Sequence, residues 1–245
     1  MSKHFELLKR VANADLFRLP DESAPPMRTA ATGLVFKKPP TDAEITKLVQ
    51  RLFSPADKGD EPRMVSFSGI TREDRSSWIC ARAGEALVEQ SDASICLVEA
   101  NFFSPQLHVH LSTANPIGLA EALTAKAPIR NFAMPLASEN LYLIPSGSVK
   151  PGFCVSVERY RERFAELREA FDYVLISAPP IRCEVEAGLI GRLADGVVLV
   201  VEANHNRRDT VRRAKEQMES AQVRLLGAVL DQRTFPIPEG LYRRL

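Results

Sequence analysis

The chain has 245 residues, which suits one α/β domain with appendages. Its 45% hydrophobic and 26% charged residues are typical of a globular protein. The 32 basic and 31 acidic residues give a net charge of +1, so no overall field favours nucleic acid or anionic lipid. No apolar run approaches the roughly 20 residues that span a bilayer, and the N-terminal sequence MSKHFELLKR lacks the apolar core of a signal peptide. We therefore expect a cytoplasmic protein without a membrane span.

The cysteines and histidines give little indication of a metal site. Four cysteines are scattered along the chain: Cys80, Cys96, Cys154 and Cys183. They form no C-x-x-C motif and have no histidine at ligand spacing, which favours buried free thiols. His108 and His110 lie two residues apart, and a lone histidine pair is weak evidence for a metal. We expect no metal from these residues.

The N-terminal region, residues 1–63, divides into two predicted helices and a linker. Residues 3–17 have the apolar spacing of a short amphipathic helix, and the prolines between 20 and 40 predict an extended linker. A second helix is predicted over 41–53, where Thr41 as N-cap and Glu44 three residues later complete a capping box. The predicted division is 1–63, an α/β domain over 64–235 and a C-terminal tail over 236–245.

From residue 64 onward, apolar runs alternate with helical stretches. The predicted strands cover residues 64–67, 95–98, 141–144, 173–176, 197–201 and 225–230. Continuous apolar strands of this kind are typical of a doubly wound, mostly parallel sheet flanked by helices. Because sites in such sheets lie at the carboxyl ends of strands, the loops most relevant to chemistry are those following these runs. They cover residues 68–77, 99–101, 177–180 and 202–204.

The first of these loops has the setting of a phosphate-binding loop, between a strand and a helix. The pattern G-x-x-x-x-G-K-[ST] can be aligned with Gly69 to Ser76, and Ser77 follows it. Asp74 then replaces the second glycine, and Arg75 replaces the lysine. The setting of a P-loop is kept, but two of its defining residues are replaced.

These replacements oppose phosphate binding. A P-loop points successive backbone N–H groups at an anion, which requires glycine-like backbone freedom and an interior without side chains. Asp74 adds a negative charge, and two like charges at ~4 Å cost about 1 to 4 kcal/mol between bulk water and a protein surface. Arg72 adds bulk within the loop, and Arg75 offers a planar fork in place of a compact ammonium group. We therefore expect weak phosphate binding or none.

Four segments together resemble the cytoplasmic domains of bacterial tyrosine kinases that control exopolysaccharide and capsule export. These kinases are a branch of the MinD/ParA class of P-loop ATPases. Besides the loop, the segments are CLVEANFFSPQLHVHLSTANPIGLAEAL from Cys96, LYLIPSG from Leu141 and VLISAPPI from Val174. They are similar to the family's strand ending in D-x-D with its following Pro-x-Leu-His and Gly-Leu, its Leu-Pro-x-Gly strand and its Walker B strand. The matching residues of the first are Pro105, Leu107, His108, Gly118 and Leu119.

The departures from the family pattern fall on catalytic positions. In the family, two aspartates of the D-x-D strand and one of the Walker B strand surround magnesium and the reacting phosphoryl group. This chain has Glu99, Asn101 and Ser177 there. Magnesium prefers carboxylate, phosphate and water oxygens, and phosphoryl transfer needs positioned cations. Two of the three acidic groups that would hold magnesium, and the lysine of the loop, are therefore missing. The resemblance thus implies vestigial catalytic residues and no bound cofactor, the alternative being ATP with magnesium at an altered site.

Three other features relate to partners and regulation. Family kinases usually carry a C-terminal tyrosine cluster, whereas this tail has only Tyr242, which as a lone tyrosine is better explained as a packing anchor. Glu44, Lys47 and Arg51 resemble a degraded E-x-x-R-x-x-R stripe through which family members assemble, or form a solvated face with ion pairs. Basic residues at the start of a later helix oppose its dipole, so they either contact an acidic neighbour or are solvated. They are Arg207, Arg208, Arg212, Arg213 and Lys215.

These observations favour a catalytically degenerate, tyrosine-kinase-like protein that regulates or scaffolds exopolysaccharide synthesis and export. The expected partner is a membrane-embedded chain-length or export protein, which would recruit the chain to the inner face of the membrane, or a kinase paralogue; self-association is a further expectation. The alternative is an active autokinase or ATPase using Arg75, Ser76 and Glu99. A ParA/MinD-like positioning protein is disfavoured because Pro236 and Pro238 break the short tail, which leaves no membrane-binding amphipathic helix.

Overall fold

The computed structural model describes residues 32–35, 42–53, 61–71, 74–149, 153–181 and 185–232. Several sequence-based predictions lie outside these ranges. They concern the helix over 3–17, the Thr41 cap, Arg72, Cys183 and the tail with Tyr242.

Eight strands and seven α-helices make up the described part of the chain. The strands are β1 (Thr32–Val35), β2 (Met64–Gly69), β3 (Ile95–Glu99), β4 (Met134–Pro135), β5 (Leu141–Ile144), β6 (Tyr173–Ser177), β7 (Gly196–Glu202) and β8 (Leu225–Asp231). The helices are α1 (Asp42–Phe53), α2 (Ser76–Val88), α3 (Leu107–His110), α4 (Leu119–Thr124), α5 (Val157–Ala170), α6 (Val185–Leu193) and α7 (Arg208–Ser220), with a 3₁₀ turn at Ile129–Phe132.

The strands form one sheet in the order β1-β8-β7-β2-β6-β3-β5-β4. Neighbouring strands are parallel except for β4 and β5 at one edge. Within β3, Ile95 and Leu97 pack with residues of α1 and α2, whereas Cys96 and Val98 pack with residues of α4 and α5. Since alternate side chains of a strand point to opposite faces, helices cover both faces of the sheet. The predicted α/β fold is confirmed.

The N-terminal region contributes one strand and one helix to these layers. β1, which the sequence analysis did not predict, pairs with β8 in parallel from Thr32 opposite Gly227 to Val35 opposite Leu230. α1 buries an apolar face that includes Ile45 and packs against α2. The boundary predicted at residue 63 stays a prediction. β1 and α1 belong to the same sheet and helix layer as the elements that follow residue 63.

The start of α4 is fixed to the loop after β5 through Gly118. The Gly118 N–H donates to Glu121 Oε2 at 2.8 Å, and the Ser148 N–H donates to Glu121 Oε1 at 3.0 Å. The Leu119 N–H donates to the Pro145 carbonyl oxygen at 2.8 Å. A Cβ on Gly118 would collide with that carbonyl, which is backbone and cannot rotate away.

We expect Gly118→Ala to lower the free energy of unfolding by about 1 to 3 kcal/mol, because the added methyl group overpacks a rigid junction. Gly188→Ala is the matched control, since its Cβ would meet only the Ala221 Cβ, at 4.0 Å. This control lies inside α6 and should stabilise the protein by about 0.5 to 1 kcal/mol. Urea denaturation of both variants measures the difference. Equal free energies for the two variants would contradict the assigned contact.

Candidate functional site

The candidate site lies at the carboxyl ends of neighbouring strands. β6 lies between β2 and β3, with Ser177 opposite both Phe67 and Glu99. β7 and β8 continue on the other side of β2 and end at Glu202 and Asp231. The loop after β2 therefore begins beside Ser177 at the Walker B position, and Glu99 at the D-x-D position lies on the far side of β6.

The Asp74 carboxylate lies between the end of β2 and the start of α2. Asp74 Oδ1 accepts the backbone N–H of Ser76, the first residue of α2, at 2.8 Å. A Cβ on Gly69 would collide with the same carboxylate, so the group packs directly on the Gly69 backbone. N–H groups at a helix start carry partial positive charge and bind anions. Here the anion at the start of α2 belongs to the chain itself.

Burial makes Asp74 a weaker acid than an ordinary aspartate, because it raises the pKa of the side chain. Desolvation raises the Asp74 pKa to about 6, the hydrogen bond to Ser76 works in the opposite direction, and the Glu202 and Asp231 carboxylates raise it further. Asp74 Oδ2 is buried and finds no hydrogen-bond partner among the described residues. The Asp74 side chain therefore changes between its neutral and its charged form near pH 6.

Arg75, at the lysine position, makes its contacts with β8 and α2. Its Nη1 lies 3.4 Å from the Asp231 carboxylate, which is 1% exposed. The guanidinium also stacks over the Trp78 ring, 4.5 Å from the ring centre. Burial raises the Asp231 pKa, and the Arg75 charge counteracts that rise. The positive charge of the loop is therefore engaged by a buried acid and an aromatic ring.

Two hydroxyl groups meet between the loop and the Walker B strand. Ser77 Oγ and Ser177 Oγ are buried and lie 2.8 Å apart, within hydrogen-bond distance. Ser76 is buried as well. The Ser77–Ser177 contact joins α2 directly to β6.

Glu99 and Asn101 stabilise the turn that leads into α3. Glu99 Oε2 accepts the N–H groups of Gln106 and Leu107 at 2.7 and 2.8 Å, and its Oε1 accepts the Asn101 N–H at 3.3 Å. Asn101 Oδ1 accepts the Ser104 N–H at 3.3 Å. Burial raises the Glu99 pKa to about 7, and hydrogen bonds from Leu107 and Ser177 moderate that rise. Both side chains thus have structural partners within the fold.

The residues proposed for partner contacts lie on two helices. On α1, Lys47 and Arg51 are exposed and Glu44 is half-buried. On α7, Arg212 and Arg213 are exposed, and Arg212 lies 3.6 Å from Asp209. His108 and His110 lie on α3, and across the described ranges no three His, Cys, Asp or Glu side chains converge as a metal site.

The sequence analysis missed Asp231 and a small cleft. Asp231 ends a buried strand beside β7, so the rule that selected the other loops would also have selected it. The cleft has a volume of about 340 Å³. It is lined by Asp42, Trp78, Ala81, Arg82, Glu85 and His110. The ion pair of Arg82 with Asp42 depends on the packing of α1 on α2, which the sequence pattern does not reveal. The ion pair of Arg82 with Glu85 lies within α2, at a spacing of three residues.

The fold is that of P-loop NTPases of the MinD class, as comparison with solved structures shows. The kinase domain of the Escherichia coli tyrosine kinase ETK matches with a TM-score of 0.71 and 20% identity, covering 81% of this chain and 78% of that one. MinD of Pyrococcus horikoshii, solved with Mg-ADP, matches with a TM-score of 0.60 and 18% identity, covering 74% of this chain and 76% of that one.

Homologues of this chain are bacterial tyrosine-protein kinases, which confirms the resemblance inferred from the sequence. YwqD of Bacillus subtilis is 24% identical over 180 residues, covering 68% of this chain and 76% of YwqD. Wzc of Salmonella typhimurium is 26% identical over 170 residues, covering 69% of this chain and 24% of Wzc. CpsD of Streptococcus agalactiae is 32% identical over 116 residues, covering 46% of this chain and 51% of CpsD.

Two further results qualify the comparison. No protein-family model matches the chain. The matched region spans about a quarter of Wzc and about half of CpsD, so the activities of those whole proteins do not transfer directly.

Within the described ranges, none of the helices has the length and apolar character needed to cross a membrane.

Proposed function

We propose that this chain is a catalytically degenerate, tyrosine-kinase-like protein that acts by binding. Its role would be that of a regulatory or scaffolding subunit of exopolysaccharide or capsule synthesis and export. The kinship with bacterial tyrosine kinases supports the pathway. One observation carries the degeneracy: the Asp74 carboxylate packs on the Gly69 backbone and accepts the Ser76 N–H at the start of α2.

An incoming phosphate would compete with this carboxylate. At ~4 Å the two negative charges would cost about 1 to 4 kcal/mol, or up to about three decades of affinity. The phosphate would also have to take the Ser76 N–H from Asp74. To gain a cation, it would have to draw Arg75 away from Asp231 and Trp78. These three costs support the absence of bound ATP.

Magnesium would meet similar obstacles. Asn101 and Ser177 offer neutral oxygens, whereas magnesium sites in nucleotide-binding proteins rely on carboxylates and phosphates. The remaining carboxylate, Glu99, is fully buried and already accepts three backbone N–H groups. Using it as a ligand would displace hydrogen-bond donors from its oxygens, and each buried N–H group left unpaired costs about 1 to 3 kcal/mol.

The proposed partners are a membrane-embedded chain-length or export protein, or a kinase paralogue. The protein itself would be cytoplasmic and reach the inner face of the membrane through that partner. The exposed basic groups of Lys47 and Arg51 on α1, and of Arg212 and Arg213 on α7, are the surfaces proposed for these contacts. Exposed charges of this kind steer association and set its salt dependence.

We expect calorimetric titration with MgATP to give no measurable heat of binding up to a nucleotide concentration of about 1 mM, which corresponds to a binding free energy weaker than about −4 kcal/mol. The reason is that the Asp74 carboxylate packs on Gly69 and accepts the Ser76 N–H, and that Arg75 is engaged by Asp231. Titration with ATP and EDTA separates the contribution of magnesium. A magnesium-dependent dissociation constant in the low micromolar range would refute the proposal and favour an active kinase or ATPase using Arg75, Ser76 and Glu99.

A further inference from the structure

The cleft of about 340 Å³ runs along one face of α2. Four of the residues that line it are on this helix, at positions 78, 81, 82 and 85, and residues three and four apart in a helix share one face. Asp42, the first residue of α1, and His110, the last residue of α3, complete the lining. We call this surface the α2 cleft.

Two contacts bring the end of β8 close to the α2 cleft. The carboxylate of Asp231, the last residue of β8, lies 3.4 Å from Arg75 Nη1. The Arg75 guanidinium in turn stacks over the Trp78 ring, 4.5 Å from the ring centre. One arginine side chain therefore separates the end of the last described strand from the cleft.

The chain that follows is long enough to cover the α2 cleft. Residues 233–245 have the sequence RTFPIPEGLYRRL and lie outside the described ranges. An extended chain of this length reaches about 40 Å. The face of α2 from Trp78 to Glu85 is about 10 Å long. We call residues 233–245 the tail.

The tail also has a sequence that suits an aromatic cleft. Pro236 and Pro238 alternate with apolar residues in FPIP. Segments with such prolines favour the extended polyproline conformation and dock in grooves lined by aromatic side chains. Trp78 lines the α2 cleft and is half-buried, so part of the indole is open to such a contact.

The α2 cleft has a net negative charge. Asp42 and Glu85 each form an ion pair with Arg82, so two carboxylates face one guanidinium and leave a net charge of −1. His110 adds no positive charge at neutral pH, because burial and the nearby Arg75 charge lower its pKa. The Asp42 side chain is 88% exposed, so a second cation can approach its carboxylate. The tail, with three arginines and one glutamate, has the opposite net charge.

We propose that the α2 cleft is the docking site of the chain's own tail. The proline segment, residues 235–238, packs on Trp78, and the two arginines at 243 and 244 approach Asp42. The order of these contacts follows the path of the chain, because the tail starts beside Trp78 and Asp42 pairs with Arg82, one turn further along α2.

Tethering favours the tail over a segment of another protein. A short flexible tether holds its end at an effective concentration of about 1 mM, which a competing segment would have to match in order to replace the tail. Arginines beside an exposed carboxylate add attraction and fix the orientation of the tail more than they add affinity. The docked tail thereby joins the end of β8 to α2 and to the start of α1.

Quenching of tryptophan fluorescence by acrylamide tests the proposal on the full chain, because Trp78 is its single tryptophan. The tail variant combines Pro236→Gly, Pro238→Gly, Arg243→Glu and Arg244→Glu. Its quenching constant should be at least double that of the wild type, because the indole is no longer covered. Equal constants for the two proteins would overturn the proposal.

A matched control reverses two exposed arginines on helices that pack on the other face of the sheet from α2. These changes, Arg161→Glu on α5 and Arg192→Glu on α6, should leave the quenching constant at the wild-type value. A rise equal to that of the tail variant would mean that charge reversal anywhere on the surface exposes the indole, and this would overturn the proposal as well.

Protein concentration distinguishes the chain's own tail from the tail of a second copy. Because tethering already supplies an effective concentration of about 1 mM, the wild-type quenching constant should not change between about 1 and 100 µM protein. A constant that falls as the concentration rises would show that the cleft binds another molecule's tail and would overturn docking within one chain. No nucleotide is involved, so this result is independent of the calorimetric test.

An exchange of charge tests the proposed orientation from the side of the cleft. Asp42→Lys should raise the quenching constant, because the lysine repels the arginines of the tail. Adding Arg243→Glu and Arg244→Glu to Asp42→Lys should return the constant toward the wild-type value, since opposite charges then meet again. Asp42 is 88% exposed, so these variants should fold, which circular dichroism can verify. If the constant does not return, the arginines do not lie beside Asp42, and the proposed placement is wrong.

Discussion

The variant that combines Arg72→Gly, Asp74→Gly, Arg75→Lys and Ser177→Asp is expected to bind MgATP, whereas Asp74→Gly alone should recover only part of that affinity. Removing the Asp74 carboxylate frees the Ser76 N–H and the space next to Gly69. The loss of one like charge through Asp74→Gly is worth about 1 to 4 kcal/mol, or about one to three decades in affinity, and the other three substitutions should add to that gain. Lysine supplies a compact cation, and an aspartate at 177 supplies a carboxylate for magnesium.

Calorimetry with MgATP measures this gain, and two control variants make it interpretable. Asp92→Gly removes one exposed acidic group outside the loop and should leave nucleotide binding undetectable, as in the wild type. The triple variant without Ser177→Asp keeps the Ser77–Ser177 contact and guards against failure to fold, because residue 177 is fully buried. If neither the combined nor the triple variant binds MgATP, the loop differs from a P-loop in more than these residues. That result would contradict the hypothesis that the loop derives from a nucleotide-binding loop by these replacements alone.

The parallel sheet could be predicted because its strands are continuous apolar runs. The predicted runs over 173–176 and 225–230 correspond to β6 and β8 with one added residue at the carboxyl end. β1 was missed because TGLV is short, contains a glycine and lies in a proline-rich region. Its place in the sheet comes from pairing with β8, a contact between distant parts of the chain that local periodicity does not contain.

The position of the candidate site could be predicted, but the directions of its side chains could not. The sequence indicates that Asp74 adds negative charge to the loop, whereas its role as the partner of the Ser76 N–H depends on the backbone path. Arg75 contacts Asp231, which is 156 residues away in sequence. Such contacts form only when the loop, β8 and α2 have assembled, and no spacing rule covers them.

The hydroxyl contact between Ser77 and Ser177 illustrates the same limit. Pattern matching identifies Ser177 as a departure from a metal-binding position and Ser77 as a residue that follows the loop, and it does not predict a contact between them. The structure adds that the two hydroxyls satisfy each other at 2.8 Å in a buried place. Buried polar groups that are paired cost little, so a serine at the Walker B position leaves neither of these two hydroxyl groups unsatisfied.

In cells, charge reversal of the exposed basic surfaces is expected to lower polysaccharide output several-fold, while Arg75→Ala should leave it nearly unchanged. The reversals are Lys47→Glu with Arg51→Glu on α1, and Arg212→Glu with Arg213→Glu on α7. Charged groups at an interface rim act mainly on association rate and its salt dependence, so these reversals should slow recruitment by an export partner. A loop that binds no nucleotide cannot couple nucleotide binding to partner binding, so loss of Arg75 should not change the affinity for the partner.

The comparison requires matched protein levels, because Arg75→Ala also removes the cation beside the buried Asp231 carboxylate and so lowers stability. Arg75→Gln, which keeps length and hydrogen-bonding groups without the charge, provides a second variant with the same expectation. The measured quantities are polysaccharide yield and the salt dependence of co-purification with the membrane fraction. If both Arg75 variants abolish output while the two charge reversals are silent, the loop is an active site, and the protein is a working kinase or ATPase with an altered P-loop.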